Sequence, residues 1–404
     1  MHHILHRRPV RSVSHRLVIV GLFSTLALAA VDTVWSVYLD SFLHNISYVG
    51  FVSSAMSLLS VLCFFSIANF VDKYSKRQFF IGSLLALSLI MISYTFISSV
   101  WLLLLLIILM VAANVLRQTT FGILFRRSIK HSELGTQEGL LYALLNVGWM
   151  IAPLIAGFFA ARYGVRSVFF LISIFFVLAA LLVRLFSFPK DHLRKHFIEA
   201  RSIQKLKMFF GKKPFRKAYF LSGGTNMFWA IIYAYVPLFI IREGLGEQWI
   251  GMFLFAVVIP LVSLEYTIGK LVDRHGYKRF FISGFTILAL FTLMAFLFGG
   301  KSIFLMLLFL FFAAFGASFL EGTRESYFFT IAKESEVEAY YGTYLSFRDI
   351  FSMSSKLLAA IVLLFFPYRF VFLLVFVEMI VMLFVAFSIK DVRIRLPKPS
   401  LINK

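Results

Sequence analysis

The sequence predicts an all-α membrane protein: twelve transmembrane helices in two pseudo-symmetric six-helix halves. Three observations lead there. Hydrophobic residues make up 60% of the 404 positions and charged residues 15%, against about 25% charged in soluble domains. Apolar runs of the ~20 residues needed to cross ~30 Å of hydrocarbon recur along the whole chain. Basic residues gather at alternate ends of those runs, and the second half repeats the first at an offset of about half the chain.

The spans read, in order, 16–41, 48–71, 79–99, 101–125, 139–161, 167–186, 218–241, 249–271, 280–299, 302–331, 342–365 and 368–388. Span 1 follows the basic start "HRRPVRSVSHR" and resembles a secretory leader, with an Ala-x-Ala site. Its apolar run continues to Leu43, however, and the repeat needs this helix, so it is read as retained. Spans 2 and 3 are joined by "DKYSKR", spans 4 and 5 by a stretch containing "FRRSIK", and spans 8 and 9 by "DRHGYKR". The intervening connections are "HNIS", "SSV", "RYGVR", "REGLGEQ", "GGK" and "PYR". With Lys270, Lys333, the linker 187–217 and the tail 390–404, the first set of connections holds 30 of the 40 Lys and Arg. The second set holds five. The positive-inside rule then puts both termini and the linker in the cytoplasm of a multi-pass cell-membrane protein. Trp101 and Trp249 fall at the opposite ends, where aromatic belts form.

The repeat is clearest between "DKYSKRQFFIG" (72–82) and "DRHGYKRFFIS" (273–283), which pair Asp72 with Asp273, Arg77 with Lys278 and Phe79-Phe80 with Phe280-Phe281. Arg16 and Lys217, and Gly50 and Gly251, pair at the same spacing. This divides the chain into a first half at 1–186, a basic linker at 187–217, a second half at 218–389 and a tail at 390–404. Parallel repeats of this kind place a solute site between the halves near the midplane. In the linker, Leu193, Phe197, Ala200, Ile203 and Leu206 recur every three or four residues among Lys and Arg. That pattern suits a basic amphipathic helix on an anionic inner leaflet, and equally a plain linker obeying the charge rule.

The loop "GKLVDRHGYKR", with Gly269, Asp273, Arg274, Gly276 and Lys278, closely resembles a signature of the major facilitator superfamily. A weaker first copy places Asp72, Lys73, Ser75 and Arg77 at the corresponding positions. The resemblance spans essentially the whole chain. It implies a major facilitator fold and alternating access, with the loop acidic groups pairing with Arg or Lys as a cytoplasmic latch. Span 4 carries Arg117 in "NVLRQ", where the superfamily often has an arginine serving the cavity or proton coupling. Span 5 carries Gly148, Ala152, Pro153 and Gly157, which resembles a packing motif of drug:proton antiporters with Ala in place of two glycines. Ordinary packing of small residues reads equally well there.

Intramembrane charge is the remaining signal, because ionisable groups at depth face a cavity or a partner. Glu321, Arg324 and Glu325 lie within one turn of span 10. Two carboxylates that close resist ionising together, which suits a proton carrier; an ion cluster of the inner latch is the competing reading. Arg348, Asp349 and Glu265 go with the latch, whereas Lys356 lies near the midplane as a cavity candidate, with Glu378 as a distant partner. Asp32 sits ~22 Å along span 1 and Arg117 only ~13 Å deep, so no direct pair between them is assumed. Thr25, Ala29, Asp32 and Ser36 share a face that reads as a cavity wall. At the repeat offset Asp32 meets Tyr233, so the fold itself does not require an acid there.

The single Cys63 excludes a disulfide framework, and no phosphate-binding loop, histidine metal set or nucleophile–base set stands out. The net charge of +21 follows the topology and implies no nucleic-acid partner. The expectation is a monomeric secondary transporter without a cofactor, not an enzyme, that moves a small solute with protons as the coupling ion. Efflux by antiport leads. Proton-coupled or facilitative uptake, and a sensor or membrane partner that kept the fold, are the alternatives.

Overall fold

A computed structural model describes residues 10–71, 75–128, 134–186 and 202–390. Among them run α1 (Val10–Leu43), α2 (Ile46–Val71), α3 (Lys76–Phe96), α4 (Val100–Arg127), α5 (Leu134–Tyr163) and α6 (Val165–Leu185). The chain continues with α7 (Ser202–Gly211), α8 (Lys213–Arg242), α9 (Glu247–His275), α10 (Tyr277–Gly299) and α11 (Ile303–Ile331). It ends with α12 (Glu334–Leu345), α13 (Phe347–Phe365) and α14 (Phe370–Ser388). Helix is what the sequence demands, since hydrocarbon offers no partner to a backbone N–H or C=O.

Eleven of the described helices are long and apolar enough to cross a membrane. The eleventh expected span, α13, is absent from that set; its 19 residues carry Arg348, Asp349 and Lys356. The structure also begins this element later than the expected 342, because the chain breaks at Ser346 and residues 334–345 form the separate helix α12. Large apolar side chains stand on the outside, among them Phe96, Trp101 and Phe384, each more than 70% exposed. Such a surface needs lipid around it, so the chain is a multi-span membrane protein.

The chain forms two compact units. One gathers α1 to α6 with residues 231–258 and 359–364; the other gathers α7, the start of α8 to Ala230, residues 259–358 and the chain from 365 onward. In the first unit α1 runs against α5 and α6, and α3 lies between α4 and α6. An aromatic core of Trp35, Tyr38, Tyr94 and Phe169 joins α1, α3 and α6, where the Tyr38 hydroxyl donates to the Tyr94 carbonyl at 2.7 Å. In the second unit α10 packs on α11 and α14. There α7 is seated by Phe209, fully buried among Phe215, Tyr219, Phe328 and Tyr340. Of the linker positions expected to form an amphipathic helix, Ile203 and Leu206 fall in α7, and Leu193, Phe197 and Ala200 lie outside the described residues.

Candidate functional site

In the second unit α11 carries the charged group the sequence singles out. Glu321 and Arg324 form an ion pair at 2.7 Å one turn apart, with side chains only 13% and 12% exposed. Each is also held from α8: the Trp229 indole N–H donates to Glu321 at 3.2 Å, and Arg324 donates to the Asn226 side-chain Oδ1 at 2.8 Å. Glu325, one turn past Glu321, accepts instead from Arg348 of α13 at 2.8 Å and from the Tyr341 hydroxyl of α12 at 3.4 Å. The Tyr344 hydroxyl donates to the Arg324 carbonyl and meets Ser222 of α8 at 2.6 Å. Phe347 lies beneath both guanidinium groups.

The arrangement therefore sorts two carboxylates and two guanidiniums into two adjacent pairs that join four helices. Breaking a buried pair by removing one partner costs ~3–5 kcal/mol, a figure that applies to Glu321–Arg324 and less to the more exposed Glu325–Arg348 pair. Sequence reasoning placed Glu321 beside Arg324 from their spacing, but it missed Trp229, Asn226, Ser222, Tyr341 and Tyr344. These lie 16 to 122 residues from their partners, and only Asn226, a polar amide inside an apolar run, gave a local hint.

In the first unit Asp32 is half-buried on α1, and its companions Thr25, Ala29 and Ser36 are buried. The Ser36 hydroxyl and the Trp35 indole N–H, next to it in the chain, are buried with no hydrogen-bond partner among the described residues. Arg117 is buried on α4, where it donates to Asn114 at 3.1 Å and to Ser24 of α1 at 3.4 Å. Lys356 is half-buried on α13, and the Glu378 carboxyl accepts a hydrogen bond from Ser355.

A seam of close backbone contact also lies in the first unit. A Cβ on Gly251 of α9 would sit 2.4 Å from the Pro153 carbonyl oxygen of α5, and one on Gly157 would sit 2.8 Å from the backbone at Glu247 and Gly251. A Cβ on Gly50 of α2 would fall 2.0 Å from the Tyr235 hydroxyl of α8 and 2.8 Å from Ala360 of α13. Gly148, nearer the start of α5, approaches Thr25 and Leu22 of α1, and Ala152 is fully buried between these contacts. Trp149 meets Tyr233 edge-on, and Arg242 pairs with Asp40 at 3.3 Å. The small residues of span 5 thus serve two neighbours, α1 and α9.

Of the signature loops, Asp72 and Lys73 lie outside the described residues, as does the Asp273 side chain. Gly276 has φ +85°, which favours glycine strongly and turns α9 sharply into α10. Its counterpart Ser75 has φ −65°, so the first loop has no such requirement. Arg77 donates to the Val183 and Arg184 carbonyls at the end of α6, both at 3.2 Å. Lys278, its repeat partner, donates to the Phe387 carbonyl at the end of α14 at 2.7 Å. Gly269 has open space where a Cβ would go, and Arg274 is exposed. Among the described residues no group of three or more His, Cys, Asp or Glu could hold a metal.

Paired buried charges inside a bundle of membrane-crossing helices are features of a membrane transporter. The Major Facilitator Superfamily pattern matches residues 17–265 and 250–401, and the chain belongs to that family. It is 22% identical over 275 residues to an uncharacterized MFS-type transporter of Methanocaldococcus jannaschii, covering 66% of this chain and 70% of the relative. Among solved structures, it is similar to the nucleoside transporter NupG, with a TM-score of 0.74 and 13% identity over 94% of this chain and all of that one. A POT family transporter in complex with 5-aminolevulinic acid gives a TM-score of 0.75 and 12% identity over 94% and 98% of the two chains. The bacterial homolog of the lysosomal transporter Spinster gives 0.73 and 13% over 94% and 97%. At these identities the solved structures speak to the fold alone, and that fold is the one the family match implies.

Proposed function

We propose that this chain is a proton-coupled secondary transporter of a small solute working by alternating access, with efflux by antiport as the direction. The observation that carries the reading is the double pair on α11. Glu321 and Glu325 stand one turn apart, each with its own arginine, and the two pairs join α8, α11, α12 and α13. A proton taken up by Glu321 would free Arg324, held otherwise by the neutral Asn226 amide, to receive an anionic or polar group of the solute. Release of the proton would restore the pair. Solute and proton then compete for one arrangement of side chains, which is the physical requirement of antiport.

Asp32 and Arg117 supply further charge for solute or proton in the first unit, with the unpartnered Ser36 hydroxyl and Trp35 N–H beside Asp32 as polar groups for a solute. The seam of Gly157, Gly251 and Gly50 with the Asp40–Arg242 pair serves as a gate that is shut in this conformation, and the termini and basic loops lie in the cytoplasm. The antiport direction is favoured by the resemblance of the span 5 small-residue stripe to that of drug:proton antiporters.

The test is solute flux in inverted membrane vesicles carrying an imposed pH difference. Wild-type flux should follow the pH difference, and Glu321→Gln should retain pH-insensitive exchange while losing accumulation. Wild-type flux indifferent to the imposed pH would remove proton coupling, and accumulation only in the opposite vesicle orientation would reverse the direction.

A further inference from the structure

One buried acid belongs to neither the double pair nor the Asp32 region. Glu378 lies midway along α14, 7% exposed. Its Oε2 is 3.0 Å from the Ser355 hydroxyl of α13, and its Oε1 has no hydrogen-bond partner. Among the described residues its one hydrogen-bond partner is Ser355. From α8, Met227 presents its carbonyl; from α13 comes Ser355; Lys356, the next residue, points roughly 100° further around that helix. Nearby, Met382 of α14 and Phe285 of α10 both close on Gly224 of α8.

The hydrogen count decides what this carboxyl is. Ser355 owns one hydroxyl hydrogen but stands near two acceptors, Glu378 Oε2 and the Met227 carbonyl at 3.4 Å. If Glu378 were ionised, Ser355 could serve only one of them, and a buried anion would rest on a single hydrogen bond with a bare Oε1. A carboxylate so placed is among the costliest arrangements in a membrane interior. With a proton on Oε2 both contacts are used in one direction: Glu378 O–H donates to Ser355 Oγ, and Ser355 O–H donates to the Met227 carbonyl.

We propose that Glu378 is a proton-binding site, occupied at neutral pH, whose bound proton completes a tie running from α14 through Ser355 of α13 to the α8 backbone. The site is separate from the Glu321 and Glu325 pairs and does not depend on their assignment to coupling. Because release of the proton would strand a bare anion, Glu378 gives it up only when α8, α13 and α14 part enough to admit water.

Infrared difference spectroscopy on the purified protein, without solute or transport, tests this. At neutral pH the wild type should show a carboxylic-acid C=O stretch that is missing from Glu378→Gln. Ser355→Ala should shift that band, because the acid loses its acceptor. Glu378→Gln, neutral and of the same shape, should melt with the wild type, whereas Glu378→Ala should melt lower. Loss of carboxylate bands rather than an acid band in Glu378→Gln would overturn the proposal, as would an acid band that Ser355→Ala leaves in place. Should Glu378→Gln fail to fold, Ser355→Ala decides alone: a shifted acid band supports the proposal and an unshifted one overturns it.

Discussion

Substitution of Gly251 by alanine is the sharpest probe of the seam between α5 and α9. The added Cβ would meet the Pro153 carbonyl oxygen at 2.4 Å, the Pro153 carbonyl carbon at 3.2 Å and the Gly157 Cα at 3.1 Å. All three are backbone atoms of a helix, so no side chain can rotate aside; α5 and α9 must separate. Overpacking a tight contact costs ~1–3 kcal/mol. If that cost falls on the closed seam and not on the separated one, the balance between them moves roughly 5- to 150-fold toward separation. Spin labels at exposed Tyr163, ending α5, and Glu243, just past α8, in a Cys63→Ser background would read the change as a growing long-distance population. Gly82→Ala is the matched control, because a Cβ there meets nothing within 4 Å. An unaltered distance distribution in folded Gly251→Ala protein, with transport unchanged, would refute the view that this seam opens at all.

Two further outcomes follow from the geometry. Asp32→Asn should leave expression and thermal stability intact while abolishing coupled transport in vesicles; transport at the wild-type rate would remove Asp32 from the mechanism. Lys212 of the α7–α8 junction pairs with Glu336 of α12, so that hydrogen bonding raises the lysine pKa and lowers that of the carboxyl. The depressed carboxyl contributes above its unfolded pKa and loses its contribution as pH falls through the folded value; the raised lysine contributes below its unfolded pKa and loses it as pH climbs through the folded one. The tie is therefore intact through the neutral range, and a spin label at exposed Met208 on α7 should gain mobility on acidification, with Glu336→Gln mobile already at neutral pH. Equal mobility of the two at every pH would show that Phe209 alone seats α7.

The sequence made the crossings legible because lipid imposes one period and one length on them. Every expected span but the eleventh lies, to within three residues, in a single helix, and most of these helices run further, as α8 does from 213 against an expected start at 218. Charged and aromatic flanks outside the hydrocarbon continue a helix without changing its hydropathy, so hydropathy cannot see those ends. The repeat was legible for the same reason at two loops, and Arg77 and Lys278 do occupy equivalent places. What could not be read was any contact set by which way a helix is rotated. The polar run "ESEVEAYYGTY" carries no apolar signal, yet it forms α12 and brings Tyr341 and Tyr344 to the charges of α11. Arg348 is grouped with the inner latch without a named partner, and the partner its guanidinium reaches is Glu325, 23 positions earlier. Glu378 was set beside Lys356 by depth alone, although the neighbouring Ser355 is the residue that turns toward it.

The Arg77 and Lys278 contacts have a mechanical meaning. Each cation is lodged on the open carbonyls that end the last helix of its own half, α6 or α14. A helix end carries partial negative charge, so each contact is favourable whatever the rest of the molecule is doing. The third helix of each half is in this way buttoned to the sixth, and the button asks nothing of the solute, the proton or the opposite half. The fastening recurs at the repeat offset, although Asp32 and Tyr233 at that same offset differ in chemistry. A lever needs stiff arms before it needs a fulcrum, and these two basic side chains are where this chain stiffens its arms.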